Sequence, residues 1–216
     1  ELQDVEEAQK AILSDLGGSV DEAIKLSLNF ARTAAATGQS ADNLSSTLSV
    51  MESISSASRD VLLNQIRSNA AMIQAAGVAP ALVMKDIADN AEFFASFARD
   101  GGQNLIQAGV AARKLGLDMS AVSSITESLL DFESSIANEV TASVMIGKQL
   151  NFQKARQLAL DNDIAGATKS IVDQLGDEAD FNALGFLQRK SLAKSIGVSV
   201  VEMNKLVKGS KELTLS

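Results

Sequence analysis

The chain has 216 residues, a formal net charge of −8 and neither Cys nor His, which excludes disulfides, Cys/His metal sites, cysteine nucleophiles and histidine general bases. Hydrophobic residues make up 46% but aromatic ones only 4%, so the apolar mass is Ala, Leu, Ile and Val, and with a single proline the composition favours helix. The acidic balance opposes nucleic-acid binding by the chain as a whole, and no apolar run approaches the roughly 18 residues that a membrane span needs.

Leu2, Val5, Ile12 and Leu16 keep helical spacing up to Gly17-Gly18. Ser19, with Glu22 three residues on, reads as a capping box. It opens a helix with the stripe Val20, Ile24, Leu28 and Ala31, which stops near Thr37-Gly38. Ser40 or Asp42 caps a long helix with the stripe Leu44, Leu48, Met51, Ile54, Leu62, Ile66 and Ile73. That helix is broken around Ser55–Ser58 and ended by Gly77. These segments are rich in Ala and Ser and bury little area each, so they are expected to lie against other helices, of this chain or of sister chains.

The texture changes at Pro80, which suits the first turn of a helix running through Val83, Ile87, Phe94 and Phe97 to Arg99. After Asp100-Gly101-Gly102, Leu105, Ala108, Ala112 and Leu115 make a short helix closed by Gly116. Asp118 caps what the spacing predicts to be the longest helix, with Val122, Ile125, Leu129, Phe132, Ile136, Val140 and Val144 on one face and Gly147 at its end. Asn151 caps the next and Asp163 the one after, which Gly176 closes. Asp180 opens a helix to Ile196, and Ser199 caps the last, which runs to Val207.

One pattern recurs: a Gly, an aliphatic residue, then the start of a new helix. It occurs at Gly77-Val78-Ala79-Pro80, Gly116-Leu117-Asp118-Met119 and Gly197-Val198-Ser199-Val200. The Gly supplies a left-handed turn, the aliphatic side chain tucks under the corner, and the next helix is capped. These are three αα-corners, with Gly77, Pro80, Gly116, Asp118, Gly197 and Ser199 as their structural residues. The fold is therefore expected to be all-α: helical segments over 1–77, a compact multi-helix domain over 78–208 and a tail over 209–216.

No catalytic apparatus is visible. Glu127, Asp131 and Glu133 could suggest the paired carboxylates of a glycosidase, but they share one helix with serine neighbours and read as a solvated acidic stripe. Asp161, Asn162 and Asp163 begin like a calcium loop, but the ligand spacing ends at Ile164-Ala165-Gly166, without a distal Glu. Gly101-Gly102 lacks the Lys-Ser/Thr of a phosphate loop. Phe93, Phe94, Phe97, Phe132, Phe152, Phe181 and Phe186 read as core of the C-terminal part. No cofactor or metal is implied.

The last corner has the helix-turn-helix pattern: Leu192-Ala193, Ile196-Gly197-Val198, Met203 and Leu206, with Arg189, Lys190, Lys194, Lys205 and Lys208 around it. A DNA reader needs polar or basic contacts at the start of its second helix, and here that helix opens Ser199-Val200-Val201-Glu202. A structural corner is the better reading.

Four phrases in the second half resemble a helical module of tail tape measure proteins, the long rod proteins of tailed bacteriophages, here most like those of contractile-tailed phages. They are ARKLGL (Ala112–Leu117), SLLDFESSI (Ser128–Ile136), ARQLALDNDIAGA (Ala155–Ala167) and LQRKSLAKSIGVS (Leu187–Ser199). The resemblance implies a structural virion protein, not an enzyme, that occupies the tail tube lumen, sets tail length and plugs the tube before genome ejection. It implies three or six copies, contact with baseplate hub and tail tube proteins, and a soluble stage in the host cytoplasm during assembly. The start at Glu1, without Met or a signal peptide, is expected of a piece of such a longer polypeptide. Two other readings stay open: a helical adaptor or scaffold, and a helix-turn-helix DNA-binding protein.

Overall fold

The computed structural model describes residues 2–176 and 178–214, with only the backbone described for 210–214. It is 81% helical, with 14 helices and no strand among the described residues. The fold is all-α. The chain divides into two compact units, Glu1–Ile106 and Gln107–Ser216.

The first unit contains α1 (Leu2–Ser14), α2 (Val20–Thr37), α3 (Ala41–Ile54), α4 (Arg59–Ala75), α5 (Pro80–Asp89), α6 (Ala91–Phe97) and a 3₁₀ turn at Asp100–Gly102. α1 packs on α2, α2 on α4, and α3 on α5. The long helix expected from Ser40 to Gly77 breaks at Ser55–Ser58, as the sequence predicts, into α3 and α4. Ser55 leaves helical geometry (φ −142°, ψ 143°), and its Oγ accepts from the Ala57 N–H at 3.1 Å. The helix expected from Pro80 to Arg99 is likewise two, because Asn90 departs from the helix (φ −121°, ψ 44°) and its side chain donates back to the Asp86 carbonyl at 2.8 Å. In both places a Ser or Asn side chain offers the backbone an alternative to the helical ladder.

Arg59 ties four of these segments together. Its guanidinium donates to Glu52 Oε1 at 2.6 Å and to the Leu16 carbonyl at 2.6 Å, and it meets Glu22 Oε2 at 3.2 Å. It thereby joins the start of α4 to the end of α3, the start of α2 and the turn after α1. The hydrogen bond to Glu52 leads in raising its pKa further above the ordinary value, although burial opposes it.

The boundary falls at Ile106, not at the change of texture at Pro80. The reason is local packing. Thr47 on α3 donates to the Met84 carbonyl of α5, Gln103 Nε2 donates to Asn69 Oδ1 on α4 at 2.7 Å, and Phe94 lies against Gly102. α5 and α6 therefore complete the N-terminal unit.

α7 (Gln103–Lys114) runs across the boundary, and the second unit continues with α8 (Met119–Leu130), α9 (Phe132–Ile146), α10 (Gln153–Leu160), α11 (Ile164–Leu175), α12 (Glu178–Ala183), α13 (Phe186–Ser195) and α14 (Val200–Thr214). α13 packs along α9, α10 on α11 and α8, and α14 on α11, α12 and α13. The expected helix from Asp118 to Gly147 is broken at Asp131, which ends α8 and caps α9 by accepting from the Ser134 N–H at 3.4 Å. The longest helix is α2, with 18 residues. The helix expected from Asp180 to Ile196 is interrupted at Leu184-Gly185, where Gly185 caps α13. α14 continues to Thr214, so the segment expected as a tail from 209 begins inside a helix, and Gly209 is buried with its Cα facing Leu115.

The Arg59 contacts predict that Arg59→Met destabilises the first unit by about 1.5–3 kcal/mol, the scale of a hydrogen-bonded charged group. Arg59→Lys should restore less than half, because one ammonium cannot reproduce the planar fork. Urea unfolding followed by circular dichroism measures both.

Candidate interaction surface

The corner residues lie as follows. Gly77 follows α4 with φ 80°, and Pro80 is the first residue of α5. Gly116 has φ 73°, and Asp118 caps α8 by accepting from the Ala121 N–H at 3.0 Å. Gly197 has φ 74°, and Ser199 and Glu202 cap α14 reciprocally: Glu202 N–H donates to Ser199 Oγ at 3.2 Å, and Ser199 N–H to Glu202 Oε2 at 2.7 Å. Of the tucked aliphatics, Leu117 is buried and Val78 and Val198 are half-buried. Gly77 and Pro80 belong to the first unit and the other four to the second.

At the third corner, Leu192, Ala193, Ile196, Met203 and Leu206 are all buried. Gly197 sits against α8, where an added Cβ would meet Ser128 Cβ at 2.5 Å and the Ser124 carbonyl at 2.8 Å. The turn thus lies close against α8 while Gly197 and Ser199 stay exposed, and Glu202 at the head of α14 is engaged in the cap.

The acidic candidates are spread out. Ser123 Oγ donates to Glu127 at 2.8 Å, Asp131 caps α9, and Glu133 is exposed. Asp161-Asn162-Asp163 is the turn between α10 and α11: Asn162 has φ 56°, and Asp163 accepts from the Gly166 N–H at 2.9 Å. Among the described residues, no group of three or more His, Cys, Asp or Glu side chains is placed to hold a metal ion. No helix there is long and apolar enough to cross a membrane.

The distinctive chemistry lies on α9, in residues that the sequence pattern did not single out. Arg156 of α10 is 8% exposed. It donates to Glu139 Oε2 at 2.8 Å and to Ser135 Oγ at 3.1 Å, and Glu139 also accepts from the Phe152 N–H at 2.8 Å. Ser135 and Glu139 are one turn apart on α9, so satisfying the buried guanidinium fixes the inward face of that helix. The available signal was a lone Glu in a helix with no other charge from Ser134 to Gly147.

The apolar stripe of α9 is therefore turned outward. Phe132 is 44% exposed, Ile136 49%, Val140 57% and Val144 77%, whereas Val122, Ile125 and Leu129 of α8 are buried. Phe132 and Phe186, expected in the core, are both on the surface, and Phe97 is half-buried; Phe93, Phe94, Phe152 and Phe181 are buried, the first two in the N-terminal unit. Phe132, Ile136 and Leu160 edge a groove of about 450 Å³ between α9 and α10, with Glu139, Arg156 and Gln157 also lining it. α2 shows the same inversion: Val20, Ile24 and Leu28 are exposed, while Ala23, Ser27, Phe30, Thr33 and Thr37 are buried.

Comparison of the chain with protein-family models, with curated proteins and with solved structures finds no match.

Removing one partner of the buried pair strands a charge. Glu139→Ala should cost about 3–5 kcal/mol, while the double variant Glu139→Leu/Arg156→Met should recover most of that loss. Two left-handed glycines that follow helices, Gly147 after α9 and Gly197 at the third corner, supply a second expectation. Gly147→Ala, at φ 68° with open space around it, should cost about 1–2 kcal/mol of left-handed strain. Gly197→Ala adds overpacking against α8 and should cost about 2–5 kcal/mol. Chemical denaturation of the four variants reads these differences.

Proposed function

We propose that the chain is a non-catalytic structural component of a larger assembly, and more specifically part of a phage tail tape measure protein. The outward apolar ridge of α9, whose only charge from Ser134 to Gly147 is the inward Glu139, carries the first part of this reading. An uncharged helix face is normally buried, so such faces suit a protein that works while covered by others. The four phrases of the second half that resemble tape measure proteins carry the second part. On this reading the protein lies in the tail tube lumen near the baseplate hub, present in three or six copies, sets tail length and leaves before the genome.

The net charge of −8 supports that role, because it suits a plug that must leave a tube whose wall also repels DNA rather than stick to it. The groove between α9 and α10 favours one competing role, a helical adaptor holding a partner segment.

The mass of the native assembly containing this chain, with its partners identified, distinguishes the two. Three or six copies with tail tube or baseplate hub proteins are expected. A free monomer with no virion partner would refute the tail role and leave the adaptor.

A further inference from the structure

We propose that α9 is a self-association face, through which two copies of this chain pack antiparallel about a two-fold axis near Val140. The inference concerns the chain alone and does not rest on the tail reading.

The ridge has the geometry for it. Phe132, Ile136, Val140 and Val144 are spaced by four residues, so they form one continuous row. The adjacent row contains Ala137 and Thr141, whose small side chains leave a shallow groove beside the ridge. The ridge of a second α9 fits that groove when the helices cross at roughly 50°.

Charge placement selects an identical, antiparallel partner. Between Ser134 and Gly147 the sole charge is Glu139, which is turned inward onto Arg156. The exposed charges lie at the ends: Asp131 and Glu133 at the start of α9, and Lys148 just after it. Lys154 flanks the same basic end, beside Gln174, whose carbonyl accepts from Lys148 Nζ at 2.9 Å. Glu133 and Ile146, the last residue of α9 before Gly147-Lys148, are about 20 Å apart along the helix at 1.5 Å per residue. An antiparallel copy brings the acidic end of each helix toward the basic end of the other and opposes their dipoles. A parallel copy would set like charges together. The α2 ridge lacks this arrangement, because Asp21 and Lys25 are exposed within its length.

The area is sufficient for a weak specific pair. The four ridge side chains expose on the order of 400 Å² per copy, comparable with the largest patch of a typical monomer. Pairing covers about 800 Å² of ridge, and the flanking Ala137, Thr141, Met145 and Leu160 bring the total to about 1,000 Å², the lower bound for a stable interface. An interface at that lower bound fits a weak, reversible pair.

Sedimentation equilibrium of the 216-residue chain between about 1 and 500 μM tests this, with circular dichroism melting as a check of folding. A monomer–dimer equilibrium is expected. Val140→Glu should raise Kd by at least about 100-fold with its helix content kept, and Ile24→Glu on α2 should leave Kd unchanged. Glu133→Lys and Lys148→Glu should each weaken the dimer several-fold, and the double reversal should restore it, since each charge faces its opposite across the two-fold axis. A wild type that stays monomeric at 500 μM would overturn the proposal. So would a dimer that survives Val140→Glu, and so would a double reversal no better than its single variants. None of these outcomes bears on whether the chain resides in a phage tail.

Discussion

Arg156 decides which side of α9 faces inward. A guanidinium held out of water needs acceptors, and Ser135 and Glu139 supply them from adjacent turns of one helix. Glu139 then satisfies the Phe152 N–H as well, so the loop between α9 and α10 is fixed by the same carboxylate. Once those residues point in, the ridge from Phe132 to Val144 points away. The surface of the second unit is thus set by a polar constraint in its interior, not by the hydrophobic pattern of its sequence.

The break at Asp131 makes that possible. A single helix from Asp118 to Gly147 would carry its apolar stripe continuously along one face. Asp131 leaves helical geometry (φ −77°, ψ 79°) and restarts the chain in a new direction. Val122, Ile125 and Leu129 stay in the core of α8, while the residues that continue their spacing become surface. One carboxylate that ends one helix and caps the next therefore separates a core stripe from an exposed one.

Much of the fold was legible in the sequence because its signals are local. Asp118, Asp163 and Ser199 each accept from a backbone N–H three residues on, which one short polar side chain before an apolar run already suggests. The joints at Asn90, Asp131 and Gly185 were not read, since apolar spacing carries across them and periodicity alone joins the flanking helices. Each had a signal: an Asn, an Asp before an acidic first turn, and a Gly inside an otherwise helical run. The boundary at Ile106 was hidden for a different reason. Phe93 and Phe94 mark a denser texture after Pro80, but they pack back onto the N-terminal unit, a non-local contact that composition does not encode. The α9 surface was legible only as a stripe, because its inward or outward sense depends on Arg156, seventeen residues beyond Glu139.

The outward face of α9 is apolar and carries no charge from Ser134 to Gly147, so it calls for a cover. Hydroxyl-radical footprinting of Phe132 and Met145 addresses it directly, by comparing dilute chain with the native assembly. Strong labelling in the dilute chain and loss of it in the assembly, with exposed Phe186 as an internal reference, is the predicted result. Equal labelling of Phe132 and Met145 in both states would contradict the account, because the ridge would then remain open to water where the protein works.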